Sequence, residues 1–150
     1  VLLSRKGLAL RMGESQVRQM GRTARGVRGI SLQENDELAA MLRVDSEESM
    51  LIITQNGSGK RVKYELFTPH TRGTHGQIIY APDDASGEVI KAVSVREEDE
   101  VMVITSTGKT IKLTVSSVRE MGKAAHGVRI VNIEPPDSVI GMDKIIQQQE

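Results

Sequence analysis

At 150 residues the chain is long enough for one ordinary domain, and its 20 basic and 20 acidic residues give a formal net charge of zero. It contains no cysteine, which excludes disulfides, thiolate catalysis and cysteine-ligated zinc. No apolar run approaches the roughly 20 residues of a membrane-spanning helix, and with aromatics at 2% any core must be aliphatic.

Short strand signals then follow one another along the chain. Val1-Leu2-Leu3 and Leu8-Ala9-Leu10 flank a Lys6-Gly7 turn. Gln33 to Leu42 is the one helix candidate, and it reads as a turn leading into a strand at Leu38 to Val44. Met50 to Thr54 and Arg61 to Leu66 flank Asn56-Gly57. Gln77 to Tyr80 runs up to Pro82-Asp83, and Val89 to Val95 follows Ser86-Gly87. Val101 to Thr105 and Thr110 to Val115 flank Thr107-Gly108, and Val128 to Ile133 stops before Pro135-Pro136. Alternation in the last hairpin places Ile111, Leu113 and Val115 on one side. Gln147 to Glu150 reads as a frayed end or a linker. Strands at this spacing, punctuated by turns, predict an all-β array of the propeller type. The sequence opens at Val1 with no secretory signal, so the expectation is a cytoplasmic protein cut from something larger.

The same unit occurs three times. MGRTARGVRGI (Met20 to Ile30), TPHTRGTHGQII (Thr68 to Ile79) and MGKAAHGVRIV (Met121 to Val131) align on Gly26, Gly76 and Gly127, which are 50 and 51 residues apart. Each follows a hairpin-like stretch with its own turn glycine: Arg5 to Met12, Gly57 to Glu65 and Thr107 to Val115. Residues 1–150 thus read as one domain of three repeats, approximately 1–48, 49–98 and 99–150, whose neighbours bury each other's apolar faces.

Charge follows the repeat. Residues 1–30, 51–80 and 101–133 carry net charges of +6, +3 and +4, while 31–50, 81–100 and 134–150 carry −5, −5 and −3. Basic blocks hold the hairpins and glycine loops, and acidic blocks hold the links. In repeats of one orientation, the basic parts line up as a stripe and the acidic parts as a separate rim. A polyanion responds to such a local field rather than to net charge.

The glycine loops carry the clearest chemistry. In Gly21 to Gly29 and Gly122 to Arg129, glycines let backbone amides approach a ligand closely. Arginine adds a fork suited to phosphate. Together they form a phosphate-positioning device that reads no base sequence. The candidate phosphate contacts are Arg5, Lys6, Arg22, Arg25, Arg28, Lys60, Arg61, Lys63, Arg72, Lys109, Lys112, Lys123 and Arg129. Alternate positions on a strand share a face, so Arg61 and Lys63 are both expected outward. Basic residues on edge strands also block aggregation, a role compatible with phosphate contact. His75 and His126, each just before the repeat glycine, suit a loop contact to phosphate better than a metal.

Other chemistries fit poorly. Gly57 to Lys60 and Thr107 to Thr110 imitate a nucleotide-binding loop, but Thr54 and Val103 stand where its first glycine is needed, and both stretches sit in hairpins. Tyr64 and Tyr80 lie in alternating stretches and read as packing residues. No carboxylate pair suggests acid–base catalysis.

MGRTARGVRGI, TQNGSGKRVKYE (Thr54 to Glu65) and MGKAAHGVRIVNI (Met121 to Ile133) closely resemble the C-terminal domain family of bacterial DNA gyrase A, with topoisomerase IV relatives. That resemblance implies a β-pinwheel, a propeller-like ring whose basic perimeter wraps duplex DNA and supports ATP-dependent negative supercoiling. Three repeats correspond to about half of such a ring, its later blades. The resemblance also implies partners in the rest of gyrase A and in gyrase B, as a heterotetramer on the bacterial chromosome. Catalytic tyrosine, ATP and Mg would belong to other parts of that enzyme, with no cofactor in this one. The glutamine–arginine–glycine-rich box of gyrase is absent; Thr71 to Gly76 occupies a repeat loop without matching it. The alternative reading is a scaffold propeller whose basic loops dock an acidic partner. The acidic links are expected to keep DNA off the wrong face.

Overall fold

The computed structural model describes residues 1–146, which form eleven β-strands. They are β1 (Leu2–Ser4), β2 (Leu8–Leu10), β3 (Leu38–Met41), β4 (Ser49–Thr54), β5 (Ser58–Lys63), β6 (Gln77–Ile78), β7 (Val89–Val95), β8 (Glu100–Thr105), β9 (Thr110–Thr114), β10 (Val128–Arg129) and β11 (Val139–Lys144). Among the described residues, the only helical pieces are single 3-10 turns at Glu14–Gln16, Tyr64–Leu66 and Val115–Ser117. The expected all-β array is what forms.

Three antiparallel sheets run β3-β1-β2-β6, β10-β5-β4-β7 and β11-β8-β9. Each starts from a tight hairpin. At Gly57 the turn needs φ +86°, a left-handed conformation open to glycine at little cost. An added Cβ there would also lie 2.5 Å from the Val131 carbonyl oxygen, because the third unit's chain crosses directly over the turn. The strands after the second and third glycine loops leave their own units: β6 pairs with β2 of the first, and β10 with β5 of the second. The two donated strands are shorter than their β-rich sequences predict. Just beyond them, the amides of Ile79 and Tyr80 both bond the Gly7 carbonyl, and those of Ile130 and Val131 both bond the Gly57 carbonyl. The chain bends around the neighbour's hairpin turn instead of extending.

β4 explains how the units stack. Its Met50 and Ile52 enter one core with Leu3, Val62, Tyr64, Phe67 and Ile79; Leu51 and Ile53 enter a second with Val95, Val101, Val103 and Val115. A strand buried on both faces reads as a continuous apolar run. β8 buries Val101 and Val103 and leaves Met102 and Ile104 partly exposed, as an alternating strand at the end of the stack should.

Gln33 to Leu42 is a turn leading into a strand, as expected: the Asp36 amide bonds the Gln33 carbonyl, Asn35 stands at φ 58°, and β3 begins at Leu38 but stops at Met41 rather than Val44. Two sequence expectations are corrected. The strand expected at Arg61 to Leu66 begins earlier, at Ser58, and yields to a 3-10 turn at Tyr64 that seats Tyr64 and Phe67 in the core. β11 is an addition to the expected strands. Gly141 and Asp143 obscure its pattern, yet Val139 and Met142 are buried, and it pairs with β8 along its length. The expected frayed segment Gln147 to Glu150 lies outside the described residues.

Candidate nucleic-acid interface

Three loops, 17–29, 67–76 and 118–127, follow the three 3-10 turns; the second and third end at β6 and β10, and the chain runs on from the first through residues 30–37 to β3. Matching turns close the first and third: the Ala24 amide bonds the Gly21 carbonyl at 3.1 Å, and the Ala125 amide bonds the Gly122 carbonyl at 3.2 Å. Loops one and two are bonded to each other. The Gly73 amide donates to the Gly29 carbonyl at 2.7 Å, the Ser31 amide to the Thr74 carbonyl at 2.9 Å, and Arg72 Nη1 to the Arg28 carbonyl at 2.7 Å. Loop three joins them where Lys123 Nζ donates to Gln77 Oε1 at 2.9 Å. The expected alignment of the basic loops along one side is therefore present. Repeat-equivalent residues occupy equivalent places: Arg22, Arg72 and Lys123 in the turns, then Arg25, His75 and His126 just before the repeat glycines.

The predicted cations separate into three groups. Arg22, Arg25, Arg28, Lys109 and Arg129 are exposed and form no ion pair among the described residues. A second group is exposed or half-buried but engaged. Arg5 pairs with Glu37 and Glu88, both at 3.1 Å. Lys6 Nζ donates to the Glu34 carbonyl at 2.6 Å, and Lys112 pairs with Glu100 at 3.0 Å. Lys63 lies 3.7 Å from Glu120. Arg72 holds loop one and Lys123 holds β6, as described.

Lys60 and Arg61 form the third group, and the structure removes both from the phosphate-contacting surface. Lys60 is fully buried. Its Nζ donates to the carbonyls of Gly122, Lys123 and Ala125 at 3.2, 2.7 and 2.9 Å, and stands 5.9 Å from the centre of the Tyr80 ring. Burial pushes this ammonium down to about 8. Arg61 is 5% exposed. Its Nε donates to the Val118 carbonyl at 2.9 Å, and its Nη1 pairs with Glu97. Alternation does put Arg61 and Lys63 on one face, but loop three folds over the first and stops short of the second. Arg11 repeats the arrangement one unit earlier, donating to the Tyr64 and Phe67 carbonyls at 2.9 and 3.3 Å. Arg11 and Arg61 are thus struts that pin the following unit.

Arg18 and Arg119 join the free loop cations, although sequence motifs alone do not single them out. Both are exposed loop residues without an ion pair among the described residues. The signal that could find them is their separation of 101 residues, the same as between Gly26 and Gly127. Arg43 and Lys91 are also exposed and unpaired, but lie off the loops.

Several carboxylates of the acidic links are ion-pair partners: Glu47 and Glu48 of Arg96, Glu48 and Asp99 of Lys144, Glu97 of Arg61 and Glu100 of Lys112. The acids cancel cations on the hairpins and outer strands. Charge on loops one and three stays uncancelled.

Nothing in the described residues builds a different site. Glu47, Glu97 and Glu120 face Arg11, Arg61 and Lys63 across a cleft of about 530 Å³ between units, so its charges are mutually compensated. No group of three or more His, Asp or Glu stands together to hold a metal among the described residues. Both stretches that imitate a nucleotide loop lie in hairpins, β4–β5 and β8–β9. Burial pushes the Tyr64 hydroxyl up to about 12, and that hydroxyl bonds Ser94, as a packing residue requires. No helix among the described residues is long and apolar enough to cross a membrane.

Comparison with known proteins agrees with this geometry. The family model for the DNA gyrase C-terminal domain, a β-propeller, matches residues 1–45, 48–96 and 99–145. The DNA gyrase A protein of Chlamydia trachomatis is 36% identical over 146 residues, covering 97% of this chain and 18% of that protein. Its counterpart in Aminobacterium colombiense is 40% identical over 139 residues, covering 93% and 17%. The chain thus spans less than a fifth of the length of these curated relatives. A solved DNA gyrase A C-terminal domain superposes with a TM-score of 0.89 at 32% identity, covering 97% of this chain and 50% of that one. The C-terminal domain of a DNA topoisomerase IV gives 0.87 at 27% identity, covering 96% and 45%.

Proposed function

We propose that this chain, which belongs to the DNA gyrase C-terminal domain family, binds duplex DNA through its glycine loops and holds it bent along the side where they align. The observation that carries the reading is the sorting of charge. Arg18, Arg22, Arg25, Arg28 and Arg119 are unpaired on the loops and Arg129 just beyond loop three on β10, while half of the hairpin cations have carboxylate partners. Guanidinium groups beside free backbone amides contact phosphate without reading bases, so the binding tolerates any sequence. Bending a 20–30 base-pair site costs about 1–6 kcal/mol. Counterion release at each phosphate offsets it.

On this reading the chain works within a DNA gyrase A protein, alongside gyrase B in a heterotetramer on the bacterial chromosome in the cytoplasm. Wrapping here supports supercoiling powered by ATP and Mg bound elsewhere in that assembly, and no cofactor is needed at the loops. The similarity to a topoisomerase IV domain supports a second reading, in which the loops hold a DNA segment without driving negative supercoiling.

The test is titration of a random-sequence duplex over salt. A log–log slope steeper than about −4 supports cooperative phosphate neutralisation. Undetectable binding by the folded chain at low salt, or binding that heparin does not displace, overturns the proposal in favour of a protein-docking scaffold. Topology of nicked circles sealed around the protein separates the gyrase reading from the topoisomerase IV one.

A further inference from the structure

Lys60 is a charged residue in a row that is otherwise apolar. Fifty residues earlier the equivalent position is Leu10, and 51 later it is Ile111. Leu10 is fully buried, so an aliphatic side chain satisfies the same place on the hairpin. Taking an ammonium out of water is costly unless its protons are all bonded. Here three carbonyls of one short turn supply the bonds, and all belong to loop three.

That arrangement fixes which way the turn's peptide groups point. The carbonyls of Gly122, Lys123 and Ala125 face inward onto Nζ. Among the described residues, the amides of Lys123 and Ala124, in the middle of the turn, meet no protein acceptor. Successive free amides in a turn make a concavity that attracts anions. Loop two, above Leu10, is held differently, by Arg72 and by Ser31 Oγ donating to the Gly73 carbonyl at 2.7 Å.

We propose that Lys60 is a positioning residue for DNA binding: its buried ammonium turns the carbonyls of loop three inward, so that the Lys123 and Ala124 amides face a backbone phosphate. Lys60 itself touches no DNA. The inference rests on the DNA-binding reading above, and adds an anion subsite built from main chain on loop three.

Protonation gives a readout that simple packing lacks. A neutral amine donates two hydrogen bonds rather than three and carries no charge, so as pH rises through about 8 the turn loses one of its three bonds and the positive charge behind its amides. The Tyr80 ring after β6 stands 5.9 Å from Nζ; Lys123 and His126 are the titratable groups on loop three, Asp83 lines the same cavity as Tyr80 and His126, and Arg61 follows on β5 with its side chain on the other face. Burial raises the Tyr80 hydroxyl away from this range.

The experiment compares the wild-type chain with Lys60→Leu and Lys60→Arg, using a random-sequence duplex. Lys60→Leu should fold, lose about ten-fold in affinity, as for one charge-assisted hydrogen bond, and have a salt slope shallower by about 1. Affinity of the wild type should fall several-fold from pH 7 to 9, and that of Lys60→Arg should not. A folded Lys60→Leu chain that binds as the wild type does overturns the proposal. Should Lys60→Leu fail to fold, the wild-type pH series decides, and a flat profile overturns it. Should the wild type bind no duplex at all, the DNA reading itself fails. Hydrogen exchange at the Ala125 amide, compared between the wild type and Lys60→Leu at one pH, then tests the hold on the loop, and equal protection rejects it.

Discussion

Two triple variants lower the net charge of the chain by the same amount and should behave very differently. One replaces Arg22, Arg25 and Arg28 of loop one with glutamine. The other replaces Arg5, Lys63 and Lys112, whose partners are Glu37 and Glu88, Glu120 and Glu100. Six unpaired arginines, five on the loops and Arg129 on β10, each releasing about 0.9 counterion per phosphate, give a log–log salt slope of about −5. Affinity then falls about 2,000-fold between 50 and 200 mM salt. Losing half of those arginines brings the slope to about −3 and the fall to about 40-fold. The hairpin triple removes charges that already have carboxylate partners, and should change the slope by less than about 1. Fluorescence anisotropy of a labelled duplex over a salt series measures both. Equal loss of slope in the two triples would refute the reasoning, because it would mean that DNA responds to total charge and not to the sorted charge of the loops.

Three further outcomes follow from the packing. Arg61→Met strips the buried Val118 carbonyl of its donor and should cost about 1–3 kcal/mol in urea unfolding; Lys112→Met, the same position in the last unit but exposed, should cost under about 0.5 kcal/mol. Gly57→Ala should destabilise clearly more than Gly108→Ala. Both sit at φ +86°, worth about 1 kcal/mol to an alanine, but only at Gly57 does the new Cβ strike a backbone oxygen, at 2.5 Å. Equal costs in thermal melts would contradict the crossing of the third unit over that turn. Burial works to raise the Asp137 carboxyl, yet hydrogen bonds from the Ser106 hydroxyl and the Thr107 amide, at 2.9 and 3.1 Å, outweigh it and hold the group well below 3.8. A depressed acid contributes stability above its unfolded pKa and loses it as pH falls, so Asp137→Asn should flatten the stability profile below about pH 4; an unchanged acid limb would argue against it.

What the sequence disclosed and what it hid have the same origin. A hairpin is local, so its evidence is local: Gly7, Gly57 and Gly108 adopt φ between 83° and 86° at the positions where the strand runs break. The runs Gln77 to Tyr80 and Val128 to Ile133 announce β6 and β10, but not that each is two residues long and pairs with another unit. The loops were legible because their arginines recur at fixed spacing. Alternation along β5 gave the shared face of Arg61 and Lys63 correctly and could not say how far a loop from the next unit would cover it.

The repeat held more than single-strand patterns could give. Superposing the three hairpins puts Lys60 in register with Leu10 and Ile111, an apolar row, and Arg61 in register with Arg11 and Lys112. A cation alone in an apolar row is buried unless the hairpin is unlike its sisters, and a buried cation must find acceptors. The nearest chain with free carbonyls is the loop of the following unit, where all three acceptors of Lys60 lie. Arg11 and Arg61 each reach the corresponding 3-10 turn, and in the last unit Lys112 is exposed and pairs with Glu100 instead. Position within the repeat fixes what a side chain can reach: among the described residues Arg11 and Arg61 each meet the turn of the following unit and become struts, and Lys112 meets none and stays at the surface.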